Sequence, residues 1–331
     1  MFLHPVFSHV RRSVIWFPLL LLFAAGALFH ALLAGTLEVS PGELLRVLAG
    51  GGSPLERQLL LELRLPRALA AFATGGLLAL AGALLQVLLR NPLADPYVLG
   101  VSGGAAVAAL LGMLAGLSGW WFSASAFIGA LVSIVLVFVL ARGRDGWNDT
   151  RLLLVGVVIA TGWGAMITFI LALAPDRELR GMLFWLMGDL SGARNPWFPL
   201  LLLGVGVVIL LPLARGLNLL ARGELQAAAL GLEVARFRVF VYLAASLFTA
   251  VAVTLAGGIG FIGLLVPHLV RLILGSDHRF LLPAVVLFGG GLLVVADTLA
   301  RTLIAPQQLP VGALTAMLGV PFFLYLLHRS R

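Results

Sequence analysis

The chain has 331 residues, of which 61% are hydrophobic and only 11% are charged, and its mean hydropathy is +1.09. A soluble domain would be about 25% charged, so the composition excludes a soluble protein and predicts a polytopic membrane protein. In such a protein the net charge of +8 indicates orientation signals rather than nucleic-acid binding. All 22 basic residues are arginine and cysteine is absent, which excludes a P-loop ATPase site, disulfides and cysteine metal sites on this chain.

The first predicted element is a membrane span at residues 14–33, which follows a short basic segment containing Arg11 and Arg12. A cleaved signal peptide is the alternative, but this apolar run is too long for a signal core. Residues 34–63 contain Pro41, a glycine cluster and four glutamates. We expect them to form an external connection with some short helix.

The next stretch, residues 64–104, contains an apolar helix that is broken on both sides. It begins at Arg64-Leu-Pro-Arg67 and carries no other charge up to position 89, a length of roughly 37 Å, which is enough to cross a bilayer. Asn91-Pro-Leu-Ala-Asp-Pro96 then ends the helix, because two prolines remove backbone donors. We expect the side chains of Asn91 and Asp95 to accept hydrogen bonds from the freed amides, near a water-filled path.

The remaining apolar runs complete a prediction of ten spans, with both termini on the same side. In this arrangement 14 of the 22 arginines lie on the side of the termini and 8 on the other side, which favours cytoplasmic termini by the positive-inside rule. The predicted spans cover residues 14–33, 65–90, 96–115, 121–141, 151–174, 197–214, 235–256, 261–274, 280–300 and 310–328.

The connection at residues 215–238 is polar enough to leave the membrane on the cytoplasmic side. It contains Gly223-Glu-Leu-Gln-Ala-Ala-Ala-Leu-Gly231, in which helix-forming residues are followed by a glycine suited to a helix C-terminus. We predict a short helix outside the bilayer. It is either a solvated surface helix or a helix whose alanines and leucines fill the groove of a partner.

Four motifs resemble those of the FecCD-type permeases, the membrane subunits of type II ABC importers for iron–siderophore complexes, haem and cobalamin. They are Arg64-Leu-Pro-Arg67, the run from Asn91 to Gly104, the segment from Gly223 to Gly231, and Gly260-Phe-Ile-Gly-Leu-Leu-Val-Pro-His268. They occur in the family's order over nearly the whole chain. The resemblance implies an all-α fold of about ten transmembrane helices, the type II ABC importer permease fold, in one domain spanning residues 1–331.

The same resemblance implies the partners and the location. The chain would form a homodimer in the lipid of a bacterial inner membrane, receive its cargo from a periplasmic substrate-binding protein, and use ATP and Mg bound to separate ATPase subunits. No cofactor, metal site or catalytic residue is expected on this chain. Iron–siderophore is the expected cargo, with cobalamin and haem as alternatives.

The resemblance also implies roles for particular residues. Arg64, Arg67 and Arg301 match positions that meet acidic groups of the binding protein, with interfacial snorkelling as the alternative. Asn91 and Leu93 match an inner-gate loop. We expect pore lining from the fifth span, and coupling to the ATPase from the short helix. The pore residues are Thr161, Trp163 and Met166; the coupling residues are Gly223, Glu224, Ala227, Leu230 and Gly231.

Three features of the sequence invite other interpretations. Gly258-Ile-Gly-Phe-Ile-Gly263 fits a dinucleotide-binding motif but follows an apolar helix, so we interpret it as a helix break. His268 lacks neighbouring ligands and is interpreted as structural. Asp297 could serve an ion-coupled secondary transporter as a proton relay, but Arg301 is four residues away and a pair between them is the simpler interpretation.

Overall fold

The structure is a computed structural model, and it describes residues 4–35, 37, 39–143, 146–147, 149–193 and 195–329. Arg144, Arg194 and Arg331, which enter the charge count, lie outside this part of the chain. The α-helices are α1 (His4–Leu33), α2 (Pro41–Leu48), α3 (Pro54–Arg57), α4 (Leu65–Leu88), α5 (Val101–Leu114), α6 (Gly119–Ala141), α7 (Asp149–Leu173), α8 (Asp176–Leu186), α9 (Trp197–Ala221), α10 (Glu224–Ala229), α11 (Val234–Ala256), α12 (Ile262–Leu274), α13 (His278–Thr302) and α14 (Val311–Arg329).

Apolar helices occupy all ten predicted spans. Within the described residues, seven helices are long and apolar enough to cross a membrane, and α5, α12 and α14 are shorter apolar helices at the other three positions. The all-α prediction is therefore confirmed. The only strands among these residues are β1 (Arg142–Gly143) and β2 (Gly146–Trp147), which form a small antiparallel ladder.

Two predicted boundaries differ from the structure. The span predicted at residues 96–115 is divided into a 3₁₀ turn at Pro96–Leu99 and helix α5, with Gly100 between them at φ 71°. The connection predicted at residues 215–238 begins and ends within long helices, because α9 continues to Ala221 and α11 begins at Val234. Polar residues such as Arg215 lie on the last turns of α9, where side chains can reach past the apolar region.

Helix α4 is the centre of the bundle and is packed by α9, α11, α12 and α13. Its row of small residues allows two backbones to touch it directly. A Cβ atom added to Gly75 would lie 2.2 Å from the carbonyl oxygen of Gly289, and one added to Gly82 would lie 1.8 Å from that of Gly263. Glycine is therefore required where α4 crosses α13 and the start of α12.

The connection between α1 and α4 contains short helices, as predicted. Helices α2 and α3 each begin with a capping box, formed by Ser40 with Glu43 and by Ser53 with Glu56. A π-helical turn, Gln58–Arg64, joins α3 to α4. These elements have their own small hydrophobic cluster around Leu44, Val47 and Leu60, so they form a packed cover at this end of α4.

Candidate functional site

The predicted short helix is present as α10, and glycines flank it. Gly223 precedes Glu224 at φ 116°, and Gly231 follows at φ 85°. Residues that carry a side chain rarely adopt positive φ, so these glycines let the chain turn sharply into and out of the helix. We call the end of the bundle that contains α10 the α10 end.

Helix α10 is anchored on one side and exposed on the other. A guanidinium NH of Arg238, on α11, donates to Glu224 Oε1 at 2.6 Å, and Ala227 is buried against the bundle. Leu225 is 89% exposed and Leu230 is 64% exposed. The helix is thus fixed to the permease while it presents leucines outward.

The loop between α4 and the 3₁₀ turn also lies at the α10 end. Asn91 Oδ1 accepts a hydrogen bond from the amide of Leu93 at 2.9 Å, and Asp95 Oδ1 accepts one from the amide of Tyr97 at 2.8 Å, as predicted. Burial raises the pKa of Asp95, against the opposing effect of the Tyr97 hydrogen bond. Asn91 and Leu93 are both exposed.

Two residues that connect this loop to other elements were missed by the sequence analysis. Arg90, immediately before the loop, has a guanidinium nitrogen 4.0 Å from Glu224 Oε1 on α10. Gln86, one turn earlier, is buried and donates to the carbonyl of Ala94 at 3.3 Å. The signal for Gln86 was present in the sequence, because it is a lone amide in a long apolar run.

Arg64 is placed where it cannot serve as an exposed docking group. Its side chain is 5% exposed and donates to the carbonyls of Leu32 at 2.7 Å and Leu33 at 2.8 Å, and also to that of Leu37. These carbonyls lie at and just after the end of α1, where a helix leaves acceptors unsatisfied. Arg64 is therefore a cap for α1, and its burial argues against the docking role that the resemblance implies for it, which stays a prediction.

The other two arginines share one buried carboxylate. Arg67 donates to Asp297 through Nε at 3.0 and 3.1 Å and through a terminal nitrogen at 2.8 Å. Arg301 Nε lies 3.3 Å from Asp297 Oδ2, which is the pair that the sequence predicted. Arg67 also donates to Gln308 Oε1 at 3.0 Å. Only 13% of the Arg67 side chain and 11% of the Arg301 side chain are exposed.

The three predicted pore residues on α7 differ in their exposure. Thr161 and Met166 are exposed on a helix that is largely uncovered in the single chain. Trp163 instead packs against Gly103 of α5, and its indole donates to Ser133 Oγ at 3.0 Å. The Ser133 hydroxyl in turn donates to the Gly100 carbonyl at 2.8 Å. Trp163 therefore fixes α7 to its neighbours, while Thr161 and Met166 are exposed on its uncovered surface.

The two sequence features that resemble other sites have structural roles here. Gly257 to Phe261 form the break between α11 and α12, where the amide of Ile259 donates to the hydroxyl of Tyr97 at 2.9 Å. His268 lies against the ring of Phe323, with centroids 6.4 Å apart. Among the residues that the structure describes, no group of three or more metal-binding side chains occurs.

Comparison with known proteins identifies the family. The model of the FecCD transport family matches residues 20–329. The chain belongs to the FecCD transport family. It is 45% identical to the vitamin B12 import system permease protein BtuC of Vibrio cholerae, over 90% of this chain and 89% of the relative. It is 42% identical to the hemin transport system permease protein HmuU of Yersinia pestis, over 82% and 83%.

The fold is that of a solved ABC transporter. A metal-chelate type ABC transporter in an inward-facing conformation superimposes with a TM-score of 0.84 at 30% identity, covering 94% of this chain and 97% of that one. This FecCD chain is therefore a multi-pass permease subunit of the type II ABC importer family. It is a transporter component rather than an enzyme.

Proposed function

We propose that this FecCD permease imports a metal chelate across a bacterial inner membrane, driven by ATP hydrolysis on partner ATPase subunits. The α10 end would face the cytoplasm, with both termini on that side, as the arginine distribution favours. Cobalamin is the preferred cargo, because the relative of 45% identity is named as a vitamin B12 permease. Haem is the second candidate, supported by the hemin permease at 42% identity, and iron–siderophore is the third.

The observation that carries the proposal is the exposure of Leu225 on a helix that is firmly anchored. Replacing a leucine that is 89% exposed costs this chain no packing free energy. Burial of the same side chain in the groove of a partner would stabilise the complex. The bond between Glu224 and Arg238 would carry movement of α10 to α11. We therefore assign Gly223, Glu224, Ala227, Leu230 and Gly231 to coupling, with Leu225 as the central contact.

The inner gate is proposed for the loop of Asn91 and Leu93. Both residues are exposed at the α10 end, and Arg90 lies near Glu224 of the coupling helix. Broken backbone at the end of a buried helix is tolerated where it lines an aqueous path. Movement of α10 could thus reach the loop directly.

A second copy of the chain is proposed to cover the exposed surface of α7. Thr161 and Met166 are exposed there, and a Cβ added to Gly162 or Gly164 would meet nothing within 4 Å. Small residues on an apolar helix allow close helix contact in membranes. The translocation path would run between the two copies, with Thr161 and Met166 along it.

Docking of the periplasmic binding protein is proposed for Arg67 and Arg301 alone. Each presents a small exposed edge beside Asp297, so an incoming carboxylate would join a network whose charge is positive overall. Guanidinium groups suit such bidentate contacts. This contact should weaken as salt concentration rises.

The experiment is ATP-driven uptake into proteoliposomes that contain the permease, its ATPase and its binding protein. Leu225→Asp should abolish uptake and substrate-stimulated ATP hydrolysis, because it places a charge in the proposed partner groove. Leu55→Asp is the matched control, since Leu55 is a 67% exposed leucine on α3. Parallel assays with cobalamin, haem and an iron–siderophore identify the cargo. Uptake without nucleotide, or full coupling in the Leu225→Asp variant, would disprove the proposal.

A further inference from the structure

Gln86 is a buried polar residue for which the transport scheme has so far no role. It lies on α4, two residues before the helix ends, and only 4% of it is exposed. A primary amide in the apolar part of a membrane protein is costly unless each of its polar atoms finds a partner. The side chain of Gln86 meets this requirement through contacts with two other parts of the chain.

The first contact is with the beginning of α12. Pro267 has no amide hydrogen, so the carbonyl of Gly263, four residues earlier, lacks its normal helical donor. The Nε2 atom of Gln86 lies 3.5 Å from this carbonyl oxygen and 3.1 Å from that of Leu264. Gln86 therefore places an amide donor beside the carbonyl that the proline leaves without its helical partner.

The second contact is with the loop after α4. The same Nε2 atom donates to the carbonyl oxygen of Ala94 at 3.3 Å, and the Ala94 side chain is packed in the main hydrophobic cluster. Ala94 follows Asn91 and Leu93, the residues proposed for the inner gate. One amide group thus joins the gate loop to α12.

Arg271 fixes the orientation of that amide. A guanidinium nitrogen of Arg271, one turn after Pro267, donates to Gln86 Oε1. Arginine can only donate and backbone carbonyls can only accept, so Oε1 must face Arg271 and Nε2 must face Ala94 and Leu264. A rotated amide would place its NH₂ group against the Arg271 guanidinium and its oxygen against the backbone carbonyls.

We propose that Gln86 and Arg271 are positioning residues that hold the inner gate loop against α12. We call Gln86, Arg271 and the carbonyl of Ala94 the gate latch. This inference rests on the proposed gate role of residues 91–95 and adds the contacts that would have to break when the loop moves away from α12. Because α12 and α4 touch at Gly263 and Gly82, a shift between these two helices would separate Gln86 from the Leu264 carbonyl and release the loop.

The natural absence of cysteine allows a direct test with single thiol reporters. Ala94→Cys places a thiol at a position that is 4% exposed, and its rate of reaction with a polar maleimide in phospholipid nanodiscs reports opening of the loop. Leu93→Cys, at a position that is 40% exposed, is the reference for an open site. Ala126→Cys, at a position on α6 that is 0% exposed, reports general loosening of the bundle.

Each reporter is combined with Gln86→Leu, Gln86→Glu or Thr74→Val. Gln86→Leu removes all contacts of the latch, whereas Gln86→Glu keeps an acceptor for Arg271 but loses the donor to Ala94 and Leu264. Thr74→Val is the matched control, because Thr74 is a buried polar residue on α4 whose hydroxyl has no hydrogen-bond partner in the structure.

Both Gln86 variants should raise the reaction rate of the Ala94→Cys reporter about five- to tenfold, the change expected for loss of one hydrogen bond. In the Gln86 variants the rates at Leu93→Cys and Ala126→Cys should stay within about twofold, because Leu93 is already exposed and Ala126 lies on α6, away from the latch bonds. All rates with Thr74→Val should also stay within about twofold, since that change touches no latch bond. Unchanged Ala94→Cys labelling in Gln86→Glu, or an equal rise at Ala126→Cys, would overturn the proposal. The measurement uses no ATPase, so its result is independent of the uptake assay.

Discussion

Arg67 and Asp297 form a bidentate ion pair between two adjacent helices, from the start of α4 to the last turns of α13, with three nitrogen–oxygen distances between 2.8 and 3.1 Å. Arg301 adds a second positive charge on the same carboxylate. The cluster therefore carries more positive than negative charge while only 1% of Asp297 is exposed. The Asp297 carboxylate joins α4 to α13 and offsets the repulsion between the two arginines.

Asp297→Asn should destabilise the chain strongly. Asparagine keeps the shape of the side chain but leaves Arg67 and Arg301 without a compensating charge, a change that costs about 3–5 kcal/mol for buried pairs. The measurement is the midpoint of thermal unfolding in detergent, followed by tryptophan fluorescence. Asp176→Asn, at an exposed position on α8, is the control and should leave the midpoint unchanged. Equal midpoints for Asp297→Asn and wild type would show that the pair contributes nothing.

Arg64→Met should reduce stability without changing the salt dependence of binding-protein docking. The substitution removes hydrogen bonds to the carbonyls of Leu32, Leu33 and Leu37, which corresponds to about 2–4 kcal/mol when a charged donor to several carbonyls is lost. Thermal unfolding and docking affinity at two salt concentrations separate the two roles. A loss of affinity that disappears at high salt, with a normal unfolding midpoint, would instead make Arg64 a docking residue.

Gly82→Ala should be among the most damaging small substitutions in the chain. Its Cβ atom would lie 1.8 Å from the carbonyl oxygen of Gly263, so α12 would have to move away from α4, and overpacking of this kind costs about 1–3 kcal/mol or more. Gly26→Ala is the control, because nothing lies within 4 Å of the added atom and alanine is the better helix former. The yield of monodisperse protein and its unfolding midpoint measure both variants. A Gly82→Ala variant as stable as Gly26→Ala would contradict the close helix crossing.

The sequence predicted the fold better than it predicted the site. Long apolar runs located the ten spans, and prolines near Asn91 and Asp95 located the break, because these signals are local. The role of Arg64 could not be read in the same way, since the carbonyls that it caps lie 27 to 32 residues away. The contacts of Gln86 with Gly263, Leu264 and Arg271 span 177 to 185 residues, and only a folded chain brings them together.

Glu224→Gln should weaken coupling more than it weakens the fold. Glu224 accepts from Arg238, whose side chain is only 5% exposed, so the substitution removes the Glu224 charge from beside a nearly buried arginine. Because Glu224 itself is 37% exposed, we expect a loss of about 1–2 kcal/mol rather than the larger cost of a fully buried pair. The neutral amide of Gln at position 224 also weakens the attraction between α10 and Arg90, so less of the movement of α10 should reach the gate loop.

Glu233→Gln is the matched control for this prediction. Glu233 pairs with Arg236 at 2.8 Å near the same end of α11, but the two side chains are 71% and 86% exposed, and such pairs contribute about 0–1 kcal/mol. The ratio of substrate imported to ATP hydrolysed in proteoliposomes is the quantity to compare. Glu224→Gln should lower this ratio several-fold while Glu233→Gln leaves it unchanged, because only Glu224→Gln weakens the attachment of α10 to α11. Equal ratios in the two variants would mean that α10 transmits force through its apolar contacts alone.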